Sequence, residues 1–259
     1  MYRGVTAALV TPLTPAGAVA EADVARLVGS LRDHVAALLA TLSTGEGWAL
    51  TPEQWRDMVA ATVRHAQGVP VLAGIELPTT AQVVERIAWA RELGAAAVVA
   101  TTPYGPEVEQ AEMVRHFAAL AAAGLPVLVY HESELSGNKT ELATLLEICR
   151  IPGVVGVKDS SNSVEFIKEL IAAEPGVAVY QGMEELLLDS GPVDGYVIAL
   201  SCVEPAFCAG LFQDPAPAKL PELLAMCKRY GLDREDWYVA VKDELHRRGV
   251  LSSARTVSG

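Results

Sequence analysis

One of the chain's six lysines stands apart from the rest. Lys158 directly ends the apolar run Val154–Val157, whereas the other five fall in helical or loop stretches. A lysine drawn into a buried strand end loses hydration, which disfavours its charged form and lowers its pKa. The neutral amine can then attack a ketone or aldehyde and form a Schiff base. The same position also allows a lysine that snorkels to solvent or pairs with Asp159. Tyr130 ends the preceding apolar run, Pro126–Tyr130, so adjacent strands would set its phenol beside Lys158. A phenol there can pass protons to a carbinolamine oxygen or to substrate; otherwise it packs with its hydroxyl in water. Ser43-Thr44-Gly45 offers two hydroxyls and a series of backbone N–H groups in a tight turn. Such a turn can hold a carboxylate through neutral donors, or it is an ordinary strand-to-helix turn. Glu46 would brace it. The segment lacks the GK[ST] of a phosphate-binding loop.

Other chemistries are poorly represented. The five histidines form no HExxH and no metal-ligand spacing, and among them only His131 sits at a strand end, where proton transfer is conceivable. No GxSxG elbow or GxGxxG loop occurs. Cys149, Cys202, Cys208 and Cys227 form no CxxC pair and read as reduced, partly buried thiols of a cytoplasmic protein. Neither a metal nor an organic cofactor is expected. Trp48, Trp55, Trp89 and Trp237 read as packing or interface residues. With 20 basic against 32 acidic residues, a formal charge of -12 and no Lys/Arg cluster, a nucleic-acid or anionic membrane partner is not expected. The N-terminal apolar run stops at Pro12, too short for a membrane span, and reads as a first strand rather than a signal peptide.

The elements that must position these residues follow one repeated pattern. A hydrophobic content of 51% and a mean hydropathy of +0.28 exclude a disordered chain. Eight short apolar runs predict strands at Val5–Val10, Val35–Leu42, Val69–Ile75, Ala96–Ala100, Pro126–Tyr130, Val154–Val157, Val177–Tyr180 and Tyr196–Leu200. Between them lie predicted helices at Glu21–Leu31, Pro52–Ala66, Thr80–Leu93, Glu107–Ala122, Thr140–Cys149, Ser163–Ala173, Met183–Asp189 and Pro205–Phe212. Thr51-Pro52-Glu53 carries an N-terminal cap, Thr80 precedes the next helix, and Gly94 stops it. Eight strand–helix units in this length are the arithmetic of a (β/α)8 TIM barrel, with a doubly wound sheet as the competitor. Two further helices, Lys219–Arg229 and Arg234–Arg248, give residues 1–212 as barrel and 213–259 as a helical extension packed on it.

Read in order, these residues resemble the dihydrodipicolinate synthase / N-acetylneuraminate lyase superfamily, from Gly4 to about Arg255. The markers are Val10-Thr11-Pro12-Leu13 with Gly17, Ser43-Thr44-Gly45-Glu46 with Leu50-Thr51, Ala73-Gly74, Pro103-Tyr104 with His116-Phe117, Val129-Tyr130, and Gly156-Val157-Lys158-Asp159-Ser160-Ser161. The resemblance implies a (β/α)8 barrel with a helical tail, here shortened. It implies that Lys158 forms the Schiff base with pyruvate or a longer 2-keto acid and that Tyr130 relays protons. It also implies that Ser43 and Thr44 bind the carboxylate and that the backbone at Val197 lines the pocket.

The departures are local. Gly105 stands where the family's synthases carry a second tyrosine that reaches across a dimer interface into the relay. Leu135 stands at the position of their carboxylate-binding arginine, and Glu132 and Glu134 make that stretch acidic. Leu42 replaces the first glycine of the Ser43 motif, and His131 and Ser133 replace the usual Asn and Pro. The expected activity is therefore a class I, Schiff-base aldolase or lyase joining or cleaving a 2-keto acid and an aldehyde, other than the lysine-pathway synthase. A neutral or amine-bearing aldehyde fits Glu132 and Glu134 better than an acidic one. The rivals are a dehydratase or hydratase-aldolase on the same lysine, and a barrel that binds without catalysing. A homo-oligomer, dimer or tetramer, is expected from the resemblance.

Overall fold

Strands buried on both faces need near-continuous Val, Leu and Ala, and that composition is what places them here. The computed structural model describes residues 2–257. The strands are β1 (Gly4–Ala8), β2 (Ala37–Ala40), β3 (Val71–Ile75), β4 (Ala97–Ala100), β5 (Val127–His131), β6 (Val154–Asp159), β7 (Ala178–Gln181) and β8 (Gly195–Ile198). All neighbours are parallel, and β8 returns to pair with β1, closing a (β/α)8 barrel. Closure removes the doubly wound alternative.

The helices are α1 (Glu21–Leu31), α2 (Pro52–His65), α3 (Thr80–Glu92), α4 (Gln110–Ala122), α5 (Ser133–Ser136), α6 (Leu142–Cys149), α7 (Val164–Ala172) and α8 (Pro205–Gln213), then α9 (Leu220–Arg229) and α10 (Trp237–Arg247). Thr51 caps α2 in a reciprocal box with Gln54. The cap of α3 is Thr79, one residue earlier than expected; Thr80 is already helical and bonds His116 Nδ1 at 2.9 Å. The helix expected at Met183–Asp189 is a single 3-10 turn, Glu184–Leu186. Ser190 stops it: its Oγ accepts from Gln181 Nε2 at 2.5 Å and donates to Leu186 O at 2.7 Å, turning the chain back before a second helical turn forms. The four-residue α5 has no counterpart among the expected helices.

Strand alternation divides the core in two. Leu39, Leu72, Val99, Leu128, Tyr180 and Val197 are among the side chains that fill the barrel interior. Val5, Leu38, Val98, Val129 and Val157 face the helices. The alternation settles which side of β5 and β6 meets the interior: Tyr130 and Lys158 point in, while His131 and Asp159 point out.

Beyond the barrel, Lys242 on α10 is fully buried and ion-paired with the equally buried Glu46. Lys242 Nζ also donates to Arg255 O at 2.9 Å, and Val257 N–H donates to Glu46 Oε2 at 2.6 Å. The tail is thus fastened to the residue that follows the Ser43–Gly45 turn: the Glu46 carboxylate, expected to brace that turn, holds Lys242 of α10 and the tail backbone. No helix among the described residues is long and apolar enough to cross a membrane.

Candidate active site

The barrel gathers polar side chains at the C-terminal ends of its strands, where loops rather than packing dictate residue choice. Lys158 is the register partner of Tyr130 on β5 and of Tyr180 on β7. Its Nζ lies 4.1 Å from the centroid of the Tyr130 ring. Room for its stem comes from Gly182, just after β7: a Cβ there would stand 2.8 Å from Lys158 Cε and would collide with Ser160 Oγ. Neither alternative for Lys158 holds. Its side chain is 5% exposed rather than snorkelled. Asp159 faces outward, bonded to His131 Nδ1 at 2.6 Å, and His131 stacks on Phe166 with ring centroids 4.4 Å apart. His131 is therefore outside the barrel and takes no part in the interior cluster.

Ser43 and Thr44 reach the same mouth from the 3-10 turn after β2. Left-handed backbone brackets that turn, at Thr41 (φ 61°) and Glu46 (φ 58°). For β-branched Thr41 this is an unusual conformation, held because its Oγ1 bonds Ala40 O at 2.7 Å and Gly74 O at 2.9 Å. Ser43 Oγ lies 3.3 Å from Tyr130 Oη and donates to Glu76. Thr44 Oγ1 accepts from Trp237 Nε1 of α10 at 3.3 Å, leaving its own proton to give. Val197 is buried in the barrel interior on β8.

Two carboxylates belong to this cluster and were not among the expected site residues. Glu76 directly follows β3, at the same strand-end position that singles out Lys158 on β6. It is 4% exposed, and its second oxygen, Oε2, is buried without a hydrogen bond. Gly47 makes space for it, since a Cβ there would lie 2.6 Å from Oε2. Glu184, two residues after Gly182, accepts the N–H groups of Ala199 at 2.7 Å and Leu200 at 3.2 Å, fixing the turn beyond β8.

Burial and mutual charge set the ionisation here. Desolvation pulls the Lys158 ammonium down to about 8, against the opposing pull of Glu76, Glu184 and Glu132. Desolvation pushes Glu76 up to about 7, with the Ser43 hydrogen bond and Lys158 restraining the rise. The Tyr130 phenol is raised by burial and by Glu76. Burial also raises Glu184. An amine partly neutral near pH 8, against a phenol and a turn of hydroxyls, is equipped to add to a carbonyl.

At the rim, Glu132 caps α5: its two carboxylate oxygens accept from Glu134 N and Leu135 N, each at 2.7 Å. Leu135 is half-buried on α5 and Glu134 is exposed. Gly105 N donates to Ser136 O at 2.8 Å, and Asn138 Nδ2 donates to Pro103 O at 2.6 Å, so the loops after β4 and β5 are tied together.

Comparison with known proteins agrees with this geometry. A family model described as the dihydrodipicolinate synthetase family matches residues 1–229. A 4-hydroxy-tetrahydrodipicolinate synthase from Exiguobacterium sibiricum is 34% identical over 192 residues, which is 73% of this chain and 66%, just under two thirds, of that protein. An uncharacterized DapA-like lyase from Halobacterium salinarum is 34% identical over 238 residues, 88% of this chain and 77% of its own. Among solved structures, a dihydrodipicolinate synthase from Acinetobacter baumannii complexed with pyruvate has a TM-score of 0.90 at 25% identity, over 100% of this chain and 93% of that one. A dihydrodipicolinate synthase from Bacillus anthracis has a TM-score of 0.90 at 26% identity, over 100% and 92% of the two chains.

Proposed function

The chain belongs to the dihydrodipicolinate synthetase family, and from that premise we propose that it is a Schiff-base aldolase or lyase acting on pyruvate or a related 2-keto acid. The observation that carries this reading is the buried Lys158 amine held against Tyr130 at the strand ends. The neutral amine adds to the keto carbon, and the carbinolamine loses water to an iminium. The iminium draws electrons from the adjacent carbon and gives an enamine. That enamine adds to an aldehyde, or is what remains when the substrate's C–C bond is cleaved.

Tyr130 moves protons at the carbinolamine. The Thr44 hydroxyl, the Ser43–Gly45 turn and the backbone at Val197 hold and orient the carboxylate end. The second substrate enters past Glu132, Leu135 and Gly105. With a carboxylate at Glu132 and no cation at 135, that end favours a neutral or amine-bearing aldehyde over an acidic one. The lysine-pathway condensation is accordingly not the reaction proposed.

Borohydride trapping with pyruvate, read by intact mass and peptide mapping, tests the reading. An adduct on Lys158 that disappears in Lys158→Ala is expected. No adduct with pyruvate or longer 2-keto acids would leave a barrel that binds without this chemistry.

A further inference from the structure

Tyr130, Ser43 and Glu76 form a continuous hydrogen-bonded chain that starts at the phenol whose ring lies under the Lys158 amine and ends on a carboxyl group. Tyr130 Oη lies 3.3 Å from Ser43 Oγ, and Ser43 Oγ donates to Glu76 Oε1. All three side chains are buried, and all three come from one chain, from the ends of β5, β2 and β3. We infer that Glu76 is the proton reservoir for the Lys158 chemistry, acting through Ser43 and Tyr130 without touching the substrate. The inference rests on the Schiff-base reading above.

The chain needs such an end for a simple reason. Tyr130 can hand over a proton only if it recovers one, because among the described residues the cation beside its buried phenolate is Lys158 itself. Ser43 is a still weaker acid and can only pass the proton on. Glu76 is the one group in the chain that can hold a proton or release it at neutral pH, and its burial keeps solvent from doing so instead.

The steps balance. In dehydration the carbinolamine C–O bond breaks as Tyr130 O–H protonates the departing hydroxyl, which leaves as water. The nitrogen lone pair closes the C=N bond. When Glu76 is the neutral acid its O–H donates to Ser43 and Ser43 to Tyr130, the reverse of the direction seen with the carboxylate. Ser43 then reprotonates Tyr130, the Glu76 carboxyl reprotonates Ser43, and Glu76 ends as a carboxylate opposite the new iminium charge. Loss of a proton from the neighbouring carbon gives the neutral enamine, and that proton returns through Tyr130 and Ser43 to Glu76.

The groups that face Glu76 are Ser43 after β2, Tyr104 after β4, Tyr130 and Glu132 at the end of β5, and Lys158 on β6. Lys158 is the cation among them. Its own titration near 8 must therefore be separated from that of Glu76 near 7.

Exchange of the pyruvate methyl protons in D2O, followed by NMR, needs no aldehyde and reads the proton step directly. Borohydride trapping on the same samples reads the Schiff base. Glu76→Gln keeps the shape and removes the proton-holding group. We expect it to retain the Lys158 adduct, to slow exchange by roughly 100-fold, within the usual range for general acid–base catalysis, and to lose the limb of the pH profile near 7. Glu76→Asp should restore part of the rate and that limb. If Glu76→Gln forms the adduct and exchanges at the wild-type rate and pH profile, the reservoir is wrong while the Schiff base stands. Loss of the adduct in a folded Glu76→Gln protein would also overturn it, assigning Glu76 to the positioning of Lys158. A wild-type protein that forms no adduct would remove the Schiff-base reading and the reservoir with it.

Discussion

Lys158 Nζ lies 4.1 Å from the centroid of the Tyr130 ring, on register partners of β6 and β5. That pairing places an amine in a site that penalises its charge, so the residue that equips the site for chemistry should weaken the fold. With its pKa near 8 rather than 10.5, the folded state binds fewer protons than the unfolded state between those two values. Stability therefore rises with pH across that window, and the cost of Lys158 is fully present below pH 8.

Lys158→Met should accordingly stabilise the protein at pH 7, by on the order of 1–3 kcal/mol, since each tenfold weakening of proton binding corresponds to ~1.4 kcal/mol. The gain should shrink as pH rises from 8 towards 10.5. Urea unfolding at pH 7 and pH 9.5 checks this. A destabilised variant at pH 7, or a gain that grows with pH, would contradict this charge balance.

Gly182→Ala should disable Lys158 without removing it. The added methyl would stand 2.8 Å from Lys158 Cε, 2.9 Å from the backbone oxygen of Asp159 and against Ser160 Oγ, so it displaces the lysine stem and the serine hydroxyl and presses on the strand backbone. Overpacking of this kind costs about 1–3 kcal/mol, which a barrel of this size should survive. Circular dichroism should show an intact fold with a lowered Tm, while trapping of Lys158 by pyruvate falls at least tenfold.

Most of the frame was readable before folding because its signals are local. Each strand is an apolar run followed by polar or glycine punctuation, and Thr51, Pro52 and Gly94 mark helix ends by their own chemistry. Lys158 and Tyr130 were legible because each ends such a run. Glu76 occupies the same kind of position, yet a glutamate after a strand reads as a solvated turn residue. Its burial comes from Ser43, Tyr104, Tyr130 and Lys158, which approach from four other strand ends only when the barrel closes. Glu184 escaped because its segment reads as helix, whereas its carboxylate is committed to the N–H groups of Ala199 and Leu200. The Lys242–Glu46 pair joins residues 196 apart, and no local pattern announces it.

That pair makes a further stability prediction. Lys242 is 0% exposed and Glu46 is 1% exposed. Lys242→Met would leave the buried Glu46 carboxylate without its cation while it still accepts from Val257 N–H, and breaking a buried pair in this way costs about 3–5 kcal/mol. Lys242→Met combined with Glu46→Gln should recover much of the loss, because the amide oxygen still accepts from Val257 while the unpaired charge is gone. Urea midpoints of the single and double variants measure the coupling. Equal losses in both would mean that Lys242 matters only as packing.

The rim offers a way to move specificity without touching the amine. Glu132 has two separable properties, a negative charge facing the mouth and a cap for α5. Glu132→Arg would destroy both at once. Glu132→Ser keeps an oxygen suited to capping and removes only the charge, and Leu135→Arg then places a cation at the rim without the Glu132 carboxylate to neutralise it, while Glu134 remains exposed beside it. With a keto-acid donor held constant, the ratio of kcat/KM for glyoxylate to that for glycolaldehyde should rise about fivefold in Glu132→Ser, and more in the double variant, as expected for a rim charge worth ~1 kcal/mol. Because these charges are partly solvated, the gain should fall as salt is raised to about 0.5 M, where screening shortens the reach of each charge to a few ångström. A ratio that stays at the wild-type value in both variants would show that shape rather than charge selects the aldehyde.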